Sequence, residues 1–242
     1  MPYASATHQG SRSNNEDSFT VANIENHLLL LVADGLGGHN AGEVASELAC
    51  EVIKQTVKDN IEKALFPSEL LFLSIARANE YVLSYARSDS TLEGMATTAV
   101  IGLIFGKKVI LANIGDSRAY IIRKDEIKQI TKDHSLVQSL LDIGAIDEKE
   151  AVSHPQKNIV MQSIGSKEGI KPDYYEFEIA KEDILFLCTD GLTDILKDNE
   201  ILDAIKECRN IQSIPEKLIE SVIKKGAKDN ITVVVYGEME RC

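Results

Sequence analysis

Four times in this 242-residue chain, a run of apolar, β-favouring residues abuts an aspartate. Leu28–Ala33 leads into Asp34-Gly35, Val109–Gly115 into Asp116-Ser117, and Ile184–Thr189 into Asp190-Gly191, while Asp229-Asn230 stands directly before Ile231–Val235. Short continuous apolar runs bounded by turn residues fit strands buried on both faces. Such strands need a covering layer on each side. Acids at their ends are poorly solvated, and an ionised carboxylate there is costly. Asp-Gly and Asp-Asn are also common turn pairs, and any one occurrence alone reads as a turn. Recurrence against buried strands points to acids that converge. Converging acids raise one another's pKa values, and a hard divalent cation removes that conflict. Asp oxygens, a backbone carbonyl and water suit Mg2+ or Mn2+, and the lack of His and Cys ligand patterns in these elements argues against zinc.

The remaining pattern sets the fold class. Helices are predicted from Glu43 to about Leu65, with Val44, Leu48, Ile53 and Val57 on one face, and from Pro67 to about Arg87, with Leu71, Ile75, Val82 and Ala86 on a stripe. Thr98–Phe105, Val109–Ile114, Ala119–Arg123 and Ile127–Thr131 read as strands whose short links suit antiparallel neighbours. Residues 134–144 and 147–153 read as helical, Asp183–Thr189 and Ile231–Tyr236 as strands, and Asn199–Cys208 and Pro215–Lys225 as late helices. Strands and helices in blocks imply an α+β fold of layered sheets covered by helices. No repeat or linker divides the chain, so residues 1–242 are expected to form a single domain.

Net charge of −12 opposes binding to nucleic acid or an anionic lipid surface. The cysteines, Cys50, Cys188, Cys208 and Cys242, are scattered without a Cys-x-x-Cys pair, which fits core residues of a reducing compartment. No basic-then-apolar leader opens the chain, and Leu28–Ala33 is far too short to span a bilayer. A cytoplasmic protein without direct membrane insertion is expected.

Seven segments then occur in a telling order. They are Gly10-Ser-Arg12-Ser-Asn-Asn-Glu16-Asp17, Val32-Ala-Asp34-Gly35-Leu-Gly-Gly-His39-Asn-Ala-Gly42-Glu43 and Ala96-Thr97-Thr98-Ala99, then Ala112-Asn-Ile-Gly-Asp116-Ser-Arg118-Ala-Tyr120 and Thr131-Lys-Asp-His134-Ser-Leu-Val, and last Cys188-Thr-Asp190-Gly191-Leu-Thr-Asp194 and Asp229-Asn230-Ile-Thr-Val-Val-Val. Over nearly its whole length the chain resembles the bacterial branch of the metal-dependent type 2C protein serine/threonine phosphatases. The resemblance implies an αββα sandwich, two antiparallel β-sheets packed face to face and flanked by helices, with two Mn2+ or Mg2+ ions at one end and room for a third. By the same resemblance Asp34 bridges the ions, Gly35 offers its carbonyl, Asp190 and Asp229 hold one ion, and Glu16 or Asp17 supports the other through water. Asp116 with Asp190 is implied at the third ion, with Asp194 a weaker candidate, and Arg12 at the phosphate, where a guanidinium can grip two oxygens. Catalysis is then assigned to Asp34, Asp190 and Asp229: a metal-bridging water attacks phosphoserine or phosphothreonine in one displacement. Phosphorylated proteins are the implied partners, among them a cognate serine/threonine kinase. A monomer and a flap near residues 132–158 are expected.

The chain also departs from the family pattern. Leu36 stands where animal relatives carry a histidine proposed as general acid, and Ile159–Gly165 lacks the arginine of many bacterial relatives. His39 reads as a fold residue, His154-Pro155 as a turn, Ser163 as a packing residue and Arg118 as half of a structural ion pair. Two other functions compete: a non-catalytic module on this fold, which would shed its acids, and a nuclease, which the acidic charge opposes.

Overall fold

The computed structural model describes residues 3–37, 41–64 and 66–239. In chain order its main elements are β1 (Tyr3–His8), β2 (Asp17–Ile24), β3 (His27–Leu36), α1 (Ala41–Asn60), α2 (Pro67–Ala86), β4 (Ala96–Thr97), β5 (Ala99–Phe105), β6 (Lys108–Ile114), β7 (Arg118–Arg123) and β8 (Glu126–Gln129). There follow α3 (Leu136–Asp142), α4 (Glu148–Val152), β9 (Asp173–Glu178), β10 (Ile184–Cys188), α5 (Asp190–Thr193), α6 (Asp198–Lys206), α7 (Ile214–Lys224) and β11 (Ile231–Gly237). One antiparallel sheet runs β1-β11-β10-β7-β8 and the other β2-β3-β5-β6-β9, with the short β4 paired to β3.

Strand periodicity builds the layers. Along β3, Leu28, Leu30 and Val32 enter the apolar layer between the sheets, with Val100, Leu111, Leu187 and Val234. Alternate residues Leu29, Leu31 and Ala33 face the opposite way, against Ala45, Ala49 and Ile53 of α1 and Leu71 and Ile75 of α2. The second sheet turns Tyr120, Phe186 and Val233 outward, onto Ile201, Leu218 and Val222 of α6 and α7. Both faces of the central strands are therefore dry, which is why their sequences are unbroken apolar runs. The expected αββα sandwich is the observed one, and Cys50, Cys188 and Cys208 are free and buried.

Three expectations change. Short links do join antiparallel neighbours at β5–β6 and at β7–β8, where Lys124 and Asp125 both take positive φ (51° and 63°) as a primed hairpin turn requires. Gly115-Asp116-Ser117 does not join neighbours: it carries the chain from β6 in one sheet to β7 in the other. Gly115 makes that crossing with φ 112°, and a Cβ there would stand 2.5 Å from Thr98 Cβ. On α1 the deepest side chains are Ala45, Ala49, Ile53 and Val57, while Val44, Leu48 and Val52 are partly buried beside them, because alanines let the helix lie close to its neighbours. Finally β1, β2 and β9 carry no continuous apolar run, and each is the edge of a sheet. On β9 Tyr175 and Phe177 pack inward while Asp173, Glu176 and Glu178 are exposed.

Candidate metal centre

The acids of both sheets come together at one end of the sandwich. Asp34, near the end of β3, lies in register opposite Asp17, the first residue of β2. Asp190 opens the short α5 directly after β10, Asp229 lies just before β11, and Asp116 lies in the inter-sheet crossing. Burial holds the Asp34 carboxyl well above the ordinary carboxylate range, and the charges of Asp17, Asp190, Asp116 and Asp229 raise it further. Asp190 is pushed up to about 6, first by burial and then by Asp229 and Asp194. Asp116 is pushed up to about 7, by burial and then by Asp190 and Asp133. Asp34 and Asp190 act on each other's ionisation, and two ionised carboxylates stay side by side only with a shared proton or a cation between them.

Asp17 is gripped by the opposite sheet. Its Oδ2 accepts from Thr189 Oγ1 at 2.9 Å and from Thr232 Oγ1 at 2.7 Å, while its buried Oδ1 has no hydrogen-bond partner among the described residues. Burial raises its pKa to about 7 against the lowering effect of the two hydroxyls.

The backbone around the acids is equally fixed. A Cβ on Gly35 would fall 2.2 Å from the Gly42 carbonyl oxygen and 2.6 Å from that of Glu16, so only glycine fits there. The Gly35 N–H donates to Glu16 O at 3.1 Å. Asn230 braces the 9–16 loop: its Nδ2 donates to Gln9 O (2.9 Å) and Asn14 O (2.8 Å), and its Oδ1 accepts from Glu16 N (2.8 Å). That loop carries Arg12, whose Nη2 donates to Asp229 Oδ2 at 2.7 Å. The ion pair raises the Arg12 pKa, and the Arg12 side chain stays 57% exposed. Arg118 forms the expected structural pair, binding both oxygens of Asp133 and reaching the Tyr120 hydroxyl.

A cavity of about 260 Å3 adjoins the acids. Asp116, Asp190 and Asp194 form one wall and Val137, Leu141 and Val152 of α3 and α4 the other. Lys157 closes it by an ion pair to Asp194 at 2.6 Å. A larger cavity, about 480 Å3, lies between α2 and residues 168–172 and touches none of these acids.

The donor set fits a hard divalent cation: carboxylates raised by burial and mutual repulsion, one orphaned buried carboxylate oxygen, and a glycine whose backbone is closely approached. Among the described residues no three His, Cys, Asp or Glu side chains are already drawn into a ligand cage. Mg2+-like ions do not require one, since they keep several waters and use one or two carboxylates.

The sequence-predicted residues Arg12, Asp17, Asp34, Gly35, Asp116, Asp190 and Asp229 all lie at this end. Ser163 is buried, away from the acid-lined cavity, and His154 makes the expected turn through Gln156 and Lys157. His39 lies outside the described residues. Sequence reasoning gave no role to the hydroxyls of Thr97, Thr98, Thr189 and Thr232 or to the amide of Asn230. All of them stand within a motif already singled out, and their signal was that adjacency.

A sequence model described as protein phosphatase 2C matches residues 5–226. The chain is 36% identical to the serine/threonine phosphatase stp of Listeria welshimeri over 229 residues, 93% of this chain and 90% of that protein. It superposes on the crystal structure of serine/threonine phosphatase Stp1 from Staphylococcus aureus with a TM-score of 0.90 at 35% identity, covering 99% of this chain and 95% of that one. The catalytic domain of the serine/threonine protein phosphatase PstP, crystallised in complex with two manganese ions, gives a TM-score of 0.86 at 34% identity, covering 99% of this chain and 98% of that one.

Proposed function

The chain belongs to the protein phosphatase 2C family, and from that premise we propose that it hydrolyses phosphoserine and phosphothreonine side chains of proteins. Asp34, the Gly35 carbonyl, Asp190 and Asp229 would hold a pair of Mn2+ or Mg2+ ions, with Asp17 supporting the site through water and Asp116 and Asp190 open to a third. When bound, the ions supply an acidified water as nucleophile and neutralise the charge of the transferring phosphoryl group. The single observation that carries this reading is the half-buried Asp34 carboxyl, surrounded by the charges of Asp17, Asp116, Asp190 and Asp229.

This chain's own residues bind and orient. Arg12, exposed and hydrogen-bonded to Asp229, can turn its guanidinium onto phosphate oxygens at the rim. Asn230 keeps Arg12's loop in place while it does so. The segment from Lys132 to Asn158, carrying α3 and α4, would serve as a flap over the acid-lined cavity. Leu36 offers no proton, so the leaving serine or threonine oxygen must be protonated by another group.

Phosphorylated proteins, including a serine/threonine kinase of the same cell, would be the partners of a cytoplasmic monomer. No described helix is long and apolar enough to cross a membrane. The test is hydrolysis of p-nitrophenyl phosphate and a phosphothreonine peptide with Mn2+, abolished by a chelator. Full turnover in excess chelator, or none with Mn2+, would refute the proposal.

A further inference from the structure

Asp34 and Asp116 reach the site from different parts of the sandwich, and one buried hydroxyl touches both approaches. Thr98 is fully buried. Its Oγ1 accepts the Asp34 N–H at 2.9 Å and lies 2.7 Å from Ser117 Oγ, the residue after Asp116. Its own N–H donates to Asp34 O at 2.9 Å, and Thr97 Oγ1 donates to the same oxygen at 2.8 Å. On the other side the methyl-bearing face of Thr98 meets Gly115, where a Cβ would stand 2.6 Å from Thr98 Cγ2. Ser117 is also fully buried. The Asp34 peptide group is therefore bonded at N–H and at C=O by one threonine, and that threonine's hydroxyl continues into the crossing that carries Asp116.

We propose that Thr98 is a positioning residue that couples two metal subsites, the one built on Asp34 and the one built on Asp116, by fixing both acid-bearing backbones through a single hydroxyl. The inference rests on the proposed phosphatase site and names a device within it. The physical ground is that an acid aimed at a cation is only as well placed as its supporting bonds. Outer-shell partners of this kind are commonly worth 10–100-fold in affinity. A buried hydroxyl with two partners is held in place: it accepts the Asp34 N–H and shares with Ser117 Oγ a hydrogen bond in which either oxygen can donate. Valine keeps the shape and the backbone N–H bond to Asp34 O, but it leaves the Asp34 N–H and Ser117 Oγ without their partner.

Calorimetric titration of metal-free protein with Mn2+ tests this without reference to turnover. Thr98→Val is expected to weaken Mn2+ binding at the tight sites by roughly 10–100-fold, while Thr98→Ser, which keeps the hydroxyl, restores binding to within about threefold of wild type by the same reasoning. Ser117→Ala cuts only the arm toward Asp116, so it should leave the tight sites intact and weaken the additional, looser Mn2+ event. Thr56→Val, which removes a buried α1 hydroxyl remote from the acids, is the control and should bind as wild type. Circular dichroism establishes that each variant is folded, and should Thr98→Val fail to fold, Ser117→Ala and Thr98→Ser carry the decision. Wild-type Mn2+ affinities in folded Thr98→Val, or an unchanged looser event in Ser117→Ala, would overturn the coupling. Failure of wild type itself to bind Mn2+ would instead strike the proposed phosphatase site.

Discussion

Asp34 is half-buried, and the charges that act on its carboxyl are chiefly those of other acids. Evolution rarely keeps such a conflict without use, and its cost should be measurable. Asp34→Asn is expected to raise the melting temperature of the metal-free protein, because it removes an acid held at a raised pKa among like charges, while abolishing stabilisation by Mn2+; parallel thermal melts check both. Asp190→Asn should lower phosphatase turnover by about 100-fold or more, taking the upper end of what a supporting partner is worth as the floor for a direct one, with circular dichroism unchanged. The pH dependence follows from the same groups. Asp17, Asp116 and Asp190 titrate at about 6 to 7 in the fold against an ordinary value of 3.8. Above pH 7 they are ionised whether the chain is folded or not, and the folded state bears the burial and repulsion penalty. As pH falls through 7 to 6 the folded state takes up protons first, so it gains stability until the unfolded chain protonates as well. Metal-free protein should therefore melt higher at pH 5 than at pH 8. With saturating Mn2+ the trend should reverse, since protons then compete with the metal.

At the level of elements, legibility followed burial. Leu28–Leu31 and Val233–Val235 could be placed from sequence because both faces of their strands are dry. Strands β1, β2 and β9 could not, because an edge half-open to solvent tolerates the polar residues of Thr7, Asn23 and Glu176. Asp34, Asp116, Asp190 and Asp229 were legible for the same reason as the central strands, since each abuts one of them, whereas Asp17, at the start of the edge strand β2, was placed by the family resemblance alone. Their partners were not: a Thr98 hydroxyl or an Asn230 amide looks like any polar residue until the fold brings Asp34 or Glu16 to it. The inter-sheet crossing was misread because three residues suit a hairpin just as well, and only the clash of a Cβ at Gly115 with Thr98 shows what the glycine allows. The α3–α4 segment is attached lightly. Backbone bonds such as Leu136 N to Ile159 O and Met161 N to His134 O close its base, and Lys157–Asp194 ties its far side. Residues 142–153 should exchange their amide hydrogens fastest of this region, and Lys157→Ala should speed that exchange severalfold while leaving the sheets unchanged; mass-resolved hydrogen exchange would measure it.

Considered as a whole, the molecule faces two opposite demands on negative charge. At one end acids crowd together to be useful, and over the remaining surface a net charge of −12 must simply be solvated. Surface ion pairs such as Arg87–Glu168 are exposed on both partners and contribute little. Arg123–Asp183, with the carboxylate 4% exposed, ties the β7–β8 ribbon to the turn before β10, and Arg123→Ala should lower the melting temperature measurably by leaving that buried carboxylate without its partner. The open rim of the β9 sheet has a further bearing on how these molecules behave in company. Every sheet that ends in an unpaired strand invites a second copy to continue it. Here a second β9 arriving antiparallel would set Asp173, Glu176 and Glu178 against the same acids of its twin, and the approach would be repelled before any backbone bond could form. Crowded copies of this enzyme are thereby kept from zipping into ribbons, and exchanging Glu176 and Glu178 for threonine should surrender that protection, visible as light scattering that climbs with protein concentration.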